Sequence, residues 1–270
     1  MTGAPKTGRG STASTTPPAR PSAAKGTRAR LDGTLFLAET CALYVGPLVA
    51  TAHHAHHSAQ IVVAPEGLAV QDGAGGRVQT RAAVIPPRRV HAHGACAFAA
   101  VLFLDGDDPV SQALACEAEA RCETWSSDSL DVSVDRDSTP ASARTLIAAI
   151  LAAVEPGHRP KAQHPAARRM RASLDRSDHA DLASLSREAG LSPRQMRHAF
   201  ARDVGLPLRA YLRWKRLRRA IDAVAAGESL STAAVSAGFA DSAHLSRVFR
   251  EQFGLTPTQG LTSVRWRTLD

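Results

Sequence analysis

Four polar residues in the first half of the chain have the types and spacing of a ligand-binding set. His54 and His56 are separated by one residue, Gln60 follows them, and His91 comes after a further apolar run. Alternate residues of a β-strand point to the same face, so the imidazoles of His54 and His56 would lie side by side. Neutral imidazole is a good ligand for iron, zinc and nickel, and His91 could complete a set of three from another strand.

These four residues lack a carboxylate, and the amide of Gln60 is a poor ligand for such metals. We therefore expect no metal cofactor. The sequence favours a pocket in which His54, His56, Gln60 and His91, with Arg88 as a further donor, bind a small polar or anionic effector. A divalent transition metal in the same place is the alternative.

A second candidate set lies in a pattern that occurs twice, as AGLSPRQMRHAF from Ala189 and as AGFADSAHLSRVF from Ala237. In each copy a short helix ends at a glycine, which adopts positive φ without a steric penalty. A second helix then begins at a capping residue and carries two apolar residues four apart, which face the core. This is the helix-turn-helix arrangement.

The outward residues of the two second helices are the candidates for DNA contact. Most of them have hydrogen-bonding groups that suit the edges of bases, and Arg is the commonest specific partner of guanine. Ala243 has no such group and could contact only a thymine methyl. The candidates are Arg194, Gln195, Arg197 and His198 in the first copy, and Ser242, Ala243, His244, Ser246 and Arg247 in the second.

A long helical segment, PLRAYLRWKRLRRAIDAVAAG from Pro207, joins the two copies. A rigid helix of this length could hold two recognition helices about one DNA turn apart, roughly 34 Å. Arg216 and Arg218 on this segment are expected to contact phosphates, which would strengthen binding to any sequence alike.

Charge is distributed unevenly along the 270 residues. Residues 164–270 contain eighteen Lys and Arg against ten Asp and Glu, whereas residues 31–163 contain nine against fifteen. A basic segment beside an acidic one indicates that only the C-terminal part meets a polyanion. The competing explanation is a solvated Arg-rich surface.

The composition divides the chain into four regions. Residues 1–30 have six Lys and Arg, no acid and almost no large apolar residue, which predicts a disordered basic tail. Residues 31–155 begin with short apolar runs between turn signals, which predict a β-sandwich or barrel followed by helices at 109–122 and 141–154. Residues 156–165, rich in Pro, form the linker, and residues 166–262 are helical throughout.

One apolar stripe allows two interpretations. Five residues on the predicted helix 141–154 lie on one face, namely Leu146, Ile147, Ile150, Leu151 and Val154. The stripe could join two chains as a homodimer, or it could close the core of the sheet domain.

The expected cellular compartment of the protein follows from features that the sequence lacks. Cys41, Cys96, Cys116 and Cys122 have no zinc spacing, no apolar run is long enough for a membrane span, and the N-terminus has no signal-peptide core. We expect a cytoplasmic protein with reduced thiols and no membrane contact.

The residues of the repeat and of the segment between the copies resemble the DNA-binding domain of the AraC/XylS family of bacterial transcription regulators, over about residues 166 to 260. The resemblance implies two helix-turn-helix units joined by a linker helix, each with a recognition helix in one of two successive major-groove segments. It also implies base contacts by Arg194, Arg197 and His198 in the first unit. In the second unit it implies them for Ser242, Ala243, His244, Ser246 and Arg247.

The stretch around His54-x-His56, with Gln60, and the later stretch around Pro86 and His91 resemble the two short motifs of the cupin barrel. Metal-binding cupins use His-x-His, a Glu and a later His, so Gln60 departs from that pattern at the Glu. Regulators of the AraC/XylS family commonly carry such a barrel as a sensor domain. The expected fold is therefore α+β with two domains: a cupin-like barrel with C-terminal helices, and an all-α domain of two helix-turn-helix units.

The resulting expectation is a sequence-specific DNA-binding transcription regulator, not an enzyme, controlled by a small effector in the barrel. Its partners would be double-stranded DNA, an effector and a second copy of the chain, with RNA polymerase added if it activates transcription. The first alternative is a metal-dependent cupin enzyme fused to a DNA-binding module. The second is a non-specific nucleoid protein, which would need charge but no paired recognition helices.

Overall fold

The computed structural model describes residues 29–120, 130, 132–136, 139–154, 164–176 and 181–269. The predicted tail up to residue 28, Cys122 and most of the predicted linker lie outside these residues. The strands are β1 (Thr34–Leu37), β2 (Cys41–Leu48), β3 (Ala59–Asp72), β4 (Arg77–Ile85), β5 (His91–His93), β6 (Cys96–Leu104) and β7 (Arg265–Thr268). The helices are α1 (Pro109–Ala120), α2 (Pro140–Ala153), α3 (Pro165–Arg176), α4 (Leu182–Glu188), α5 (Pro193–Val204), α6 (Leu208–Ala225), α7 (Leu230–Ser236), α8 (Ser242–Phe253) and α9 (Pro257–Leu261).

The strands in the described part of the chain form one sheet in the order β4-β3-β6-β2-β1-β7, with β5 on β3. β3 is long and shifts register between Val63 and Leu68, so its first half pairs with β6 and its second half with β5 while both halves pair with β4. A strand that changes partners in this way curves the sheet. We call residues 31–154 the barrel.

One face of the sheet packs against helix α2. Alternate residues such as Leu43, Ile61 and Leu102 point into a core that α2 closes through Leu146 and Ile150. The apolar stripe on this helix therefore closes the core of the barrel, as in the second of our two interpretations. Leu146, Ile150 and Val154 of the stripe are buried inside the chain, and Ile147 and Leu151 are partly buried against the same core.

The C-terminal helices form two units around the linker helix α6. In the first unit α3, α4 and α5 pack with the N-terminal half of α6 around Met170, Met196 and Phe200. In the second unit α7, α8 and α9 pack with the C-terminal half of α6 around Leu217 and Phe249. The predicted repeat of two helix-turn-helix units on one long helix is confirmed.

The end of the chain contains a strand that was not predicted. The helical domain was expected to end at residue 262, and after it residues Arg265–Thr268 form β7, which pairs in parallel with β1 of the barrel. The C-terminus thereby returns to the N-terminal sheet. Among the described residues, no helix has both the length and the apolar composition of a membrane span.

Candidate functional site

The recognition helix of the first unit, α5, is fixed at both ends. The hydroxyl of Ser192 accepts the backbone N–H of Gln195, and Pro193 occupies the first turn. Gly205 ends the helix with φ of 76°, in the left-handed region that favours glycine. With Met196 and Phe200 fully buried, the other side of the helix presents exposed side chains to solvent, namely Arg194, Arg197 and His198.

The recognition helix of the second unit, α8, repeats this design. The carboxylate of Asp241 accepts the backbone N–H of His244 at 2.6 Å, and Gly254 ends the helix with φ of 66°. Leu245 and Phe249 are buried. Of the candidate DNA contacts on this helix, Ala243 and Arg247 are exposed, whereas Ser242, His244 and Ser246 are partly buried.

Two of the predicted DNA-contacting residues have other contacts. The side-chain oxygen of Gln195 accepts the backbone N–H of Ser192 at 2.8 Å, which completes a capping box. The ring of His244 meets the edge of Phe239 with 5.2 Å between ring centroids. Gln195 therefore has a structural role that the alternation of polar and apolar residues did not indicate.

The basic residues of α6 connect parts of the molecule to one another. Lys215 donates to the backbone oxygen of Leu174 at 2.9 Å, and Arg213 pairs with Glu251 of α8 at 3.3 Å. Arg218 was expected to contact phosphate. Instead it faces the barrel, where its Nη1 lies 3.4 Å from Asp105 Oδ2. That prediction is wrong because the barrel covers this side of α6.

The three candidate histidines come together as predicted. His54 forms an isolated backbone bridge with His91 of β5, and the ring of His56 lies beside both, with ring centroids 4.2 to 5.6 Å apart. All three are buried. Burial lowers the pKa of His54 to about 3 and that of His91 to about 2, and it also lowers the pKa of His56. The cluster is therefore neutral at physiological pH.

The backbone fixes which nitrogen of each ring carries the proton. His54 Nδ1 donates to the oxygen of Ala52 at 2.9 Å, His56 Nδ1 to that of Ser58 at 2.7 Å, and His91 Nδ1 to that of Arg89 at 3.0 Å. A neutral imidazole has one N–H, so each Nε2 keeps its lone pair. One nitrogen from each ring lies within 4.8 Å of the others.

Gln60 lies at the centre of the cluster. One terminal atom of its amide is 2.7 Å from His56 Nε2 and 3.2 Å from His91 Nε2, and its other terminal atom is buried without a partner among the described residues. Because both Nε2 atoms are acceptors, the NH2 group is the end of the amide that can satisfy them. The predicted fourth member of the set is therefore present, whereas Arg88 is exposed and outside the cluster.

A cavity of about 110 Å³ lies between the barrel and the second unit. Such a volume would hold several waters or part of a small molecule. The lining is mostly apolar and comes from both sides: Leu35, Ala42, Tyr44, Val101 and Phe103 from the barrel, and Trp214, Ile221, Phe249, Phe253 and Leu261 from the helical domain.

Polar groups occupy two parts of the cavity wall. His54 and Gln60 of the histidine cluster contribute one part, and the Asp105–Arg218 pair contributes the other. Burial raises the pKa of Asp105 to about 7, although Arg218 opposes the shift. We had expected an effector site inside the barrel, and this cavity at its boundary was missed. The sequence feature that could have indicated the cavity is Phe253. The first copy of the repeat has no aromatic residue there, since Val204 stands at the corresponding position.

Comparisons with known proteins bear on both domains. The family model of a helix-turn-helix domain matches residues 185–262. The solved structure of an apo ToxT variant from Vibrio cholerae has a TM-score of 0.53 and 15% identity, and the match covers 82% of this chain and 96% of that chain. At this identity the likeness shows the fold alone.

Two weaker likenesses add no argument of their own. Another ToxT structure from Vibrio cholerae has a TM-score of 0.46 at 9% identity over 82% of this chain and 97% of that chain. A cupin-like protein from Thermotoga maritima has a TM-score of 0.21 at 18% identity over 28% of this chain and 78% of that chain.

The matched helix-turn-helix model, the repeated unit on one linker helix and the two-domain fold agree with the resemblance on which the prediction was based. Residues 185–262 of the chain form a helix-turn-helix domain, and this domain follows a sheet domain in a two-domain fold like that of ToxT.

Proposed function

We propose that this chain is a transcription regulator of the AraC/XylS type that recognises a bipartite DNA site, and that a small, largely apolar molecule in the cavity between barrel and second unit controls its binding. The proposal that an effector controls DNA binding depends on one observation: residues of both domains line the cavity. A molecule held there contacts the sensor and the DNA-binding domain at once, so its binding energy can differ between two arrangements of the domains.

The lining specifies the chemistry of this effector. Aromatic and aliphatic side chains suit an apolar body, and the Asp105–Arg218 pair suits one polar or anionic group. ToxT from Vibrio cholerae has been solved with an unsaturated fatty acid bound, a finding that concerns ToxT. Support for the present proposal comes from the side chains of this cavity.

The base contacts proposed for the first unit are those of Arg194, Arg197 and His198. For the second they are those of Ser242, Ala243, Ser246 and Arg247, with His244 beside them. Selection from random-sequence DNA by the full chain should return two half-sites about one turn apart. Arg194→Ala with Arg197→Ala should remove preference in one half, and Arg247→Ala in the other, by roughly 1–3 kcal/mol per bidentate contact. An unchanged motif in the first-unit variant would refute this assignment.

The effector proposal is tested by filling the cavity. Ala42 lines it, and Ala97 of β6 is exposed on the barrel surface. Hexanoate, a short apolar carboxylate matched to the size of the cavity, should bind the wild type and the Ala97→Phe control and change their DNA affinity. Ala42→Phe should bind DNA without responding to hexanoate. A response in Ala42→Phe equal to that of the wild type would refute the cavity as the effector site, as would a wild type that does not bind the probe.

The histidine cluster supports a second candidate function, binding of a transition metal. Metal-ligating histidines commonly donate the other ring nitrogen to a backbone carbonyl, and His54, His56 and His91 all do so. These three would hold the ion, and an ion there would supply a positive charge and an open coordination position. The metal-free pocket expected from the sequence remains our first prediction, because Gln60 lies between the rings where metal-binding cupins have a carboxylate ligand.

Elemental analysis of untagged protein distinguishes the two. Metal binding at this site would be established if the wild type and the exposed-residue control His53→Ala each contain about one equivalent of metal and the folded double variant His54→Ala/His56→Ala contains none. It would also reopen the alternative of a cupin enzyme, for which oxygen uptake by the loaded protein is the further test. No metal in the wild type would support the pocket.

We further propose that the chain acts in the cytoplasm, where bacterial DNA lies, and that it has no catalytic activity. RNA polymerase as a partner and a homodimer remain proposals. Light scattering on the full chain tests the dimer, because a monomer at micromolar concentration would exclude it under those conditions.

A further inference from the structure

The barrel holds the second helix-turn-helix unit through a shared apolar core. Leu37 of β1 belongs to the same buried cluster as Trp214 and Phe249. The backbone N–H of Ala52 donates to the oxygen of Gly254 at 3.1 Å. β7 follows this unit and adds a strand to the sheet. Apolar burial and backbone pairing together make the barrel and the second unit one packed body.

The barrel holds the first unit differently. The core of this unit, around Met170, Met196 and Phe200, contains no barrel residue among those described. Contact with the barrel is mainly polar. Arg171 Nε of α3 lies 2.9 Å from Asp107 Oδ2, and Gln112 Nε2 of α1 donates to the backbone oxygen of Asp203 at 3.0 Å. We call these two contacts the polar bridge.

The polar bridge determines where α5 lies relative to the barrel. Asp203 is near the C-terminal end of α5, and Arg171 is on α3, which packs on α5 in the same core. Since α8 is fixed to the barrel, positioning α5 on the barrel also positions α5 relative to α8. The linker helix α6 provides a second, independent connection between the two recognition helices.

The segment that carries Asp107 has little freedom to move. Asp105 pairs with Arg218 of α6. A side chain at Gly106 would place its Cβ 2.5 Å from the backbone oxygen of His57 and 3.4 Å from Leu206, directly after α5. Asp107 then contacts Arg171. Asp105 thus contacts the linker helix α6, Gly106 lies beside the residue that follows α5, and Asp107 contacts α3.

We propose that Asp107 and Gln112 are specificity-determining residues for DNA: through the polar bridge they fix α5 relative to α8, and so they set the spacing between the two half-sites. The inference rests on the bipartite DNA binding proposed above, and it does not depend on an effector in the cavity. Each recognition helix must enter its own major-groove segment, so a change in their separation changes the spacer that fits.

The experiment uses the full chain and a duplex library in which the two selected half-sites are separated by spacers of varied length. The wild type should prefer one spacer over those one base pair longer or shorter. In Asp107→Asn/Gln112→Ala this preference should fall roughly fivefold, as expected for the loss of two partly exposed polar contacts. Affinity for each half-site alone should not change. Glu66→Gln, which alters an exposed carboxylate on the barrel, is the control and should keep the wild-type preference.

A charge exchange tests the pair directly. Asp107→Arg should relax the preference by repelling Arg171, and Asp107→Arg/Arg171→Asp should restore it. The proposal is overturned if the Asp107→Asn/Gln112→Ala variant, folded by its melting curve, selects the wild-type spacer with unchanged preference. In that case α6 alone sets the spacing. An exchanged pair no more selective than Asp107→Arg would also overturn it.

Discussion

The first and second helix-turn-helix units share their construction and differ in their attachment to the rest of the chain. Each has a capped recognition helix, a buried Phe and a C-terminal glycine with positive φ. A Cβ on Gly205 would meet only the backbone oxygen of Gly106, at 3.9 Å, whereas a Cβ on Gly254 would lie 2.4 Å from the oxygen of Ala52 and 2.7 Å from His54 Nδ1. The repeat therefore encodes the fold of a unit, and an apolar core shared with the barrel distinguishes the second unit from the first.

The largest expected effect comes from the two buried aromatic anchors. Phe200→Ala and Phe249→Ala should each destabilise the protein by about 3–5 kcal/mol, since both remove a buried aromatic side chain. Phe249 shares its core with the barrel, so its loss should lower the melting temperature of the barrel and the second unit together. Phe200→Ala should melt the first unit separately. Scanning calorimetry distinguishes one shifted transition from a new early one, and an identical pattern in both variants would contradict the comparison.

Acidification should destabilise the side of the molecule that contains the histidine cluster. His54 and His91 have folded pKa values of about 3 and about 2, below the ordinary 6.5, so the unfolded chain takes up protons first. Their contribution is complete above pH 6.5 and is lost as the pH falls, by about 1.4 kcal/mol per pH unit for each histidine. Urea unfolding between pH 7 and pH 5 with a chelator present measures it. A stability that does not change over this range would count against the burial of the cluster.

Asp105 should change the pH dependence of stability in the direction opposite to that of the histidines. Its folded pKa of about 7 is raised above 3.8, so its unfavourable contribution grows as the pH rises from 4 to 7 and is relieved by acid. Asp105→Asn removes this relief, and the loss of stability on acidification should therefore be steeper than in the wild type. An equal loss in the two proteins would show that the carboxyl is still charged in the folded state at pH 5.

The two C-terminal glycines form a matched pair of smaller effect. Gly205→Ala should cost about 1 kcal/mol, because alanine is strained at positive φ. Gly254→Ala should cost more than this, since its Cβ also meets backbone atoms of the barrel. Denaturant titration of both variants gives the comparison, and equal costs would mean that the barrel and the second unit are not in close contact at this point.

The smallest effect is expected at Gln195. Gln195→Ala removes half of the capping box of α5 and should cost about 0.5–1 kcal/mol. The selected DNA motif should stay the same, in contrast to Arg194→Ala. A changed base preference in Gln195→Ala would return this residue to the DNA-contacting set.

Local patterns predicted the parts of this fold that local interactions determine. Asp181, Ser192 and Asp241 cap α4, α5 and α8, and the phenylalanines four residues after Met196 and Leu245 are buried. Each of these contacts joins residues close together in the sequence, so periodicity and capping preferences are sufficient to find them.

Contacts between distant segments were not predictable in this way. β7 pairs with a strand more than 200 residues earlier, and nothing in the sequence of Arg265–Thr268 identifies its partner. Arg218 resembles the other basic residues of α6, and only the docked barrel distinguishes it. The histidine cluster was predicted from strand alternation, although His54 forms only an isolated bridge and His56 lies outside the strands, whereas the cavity beside the cluster depends on how two domains pack.

Amide hydrogen exchange on the full chain tests most directly whether the barrel and the second unit form one body to which the first unit is bridged. The account predicts that amides of α8 share one opening free energy with those of β1 and β2, and that amides of α5 exchange at a lower one. If α5 and α8 open together, and the barrel opens separately from both, the account is contradicted.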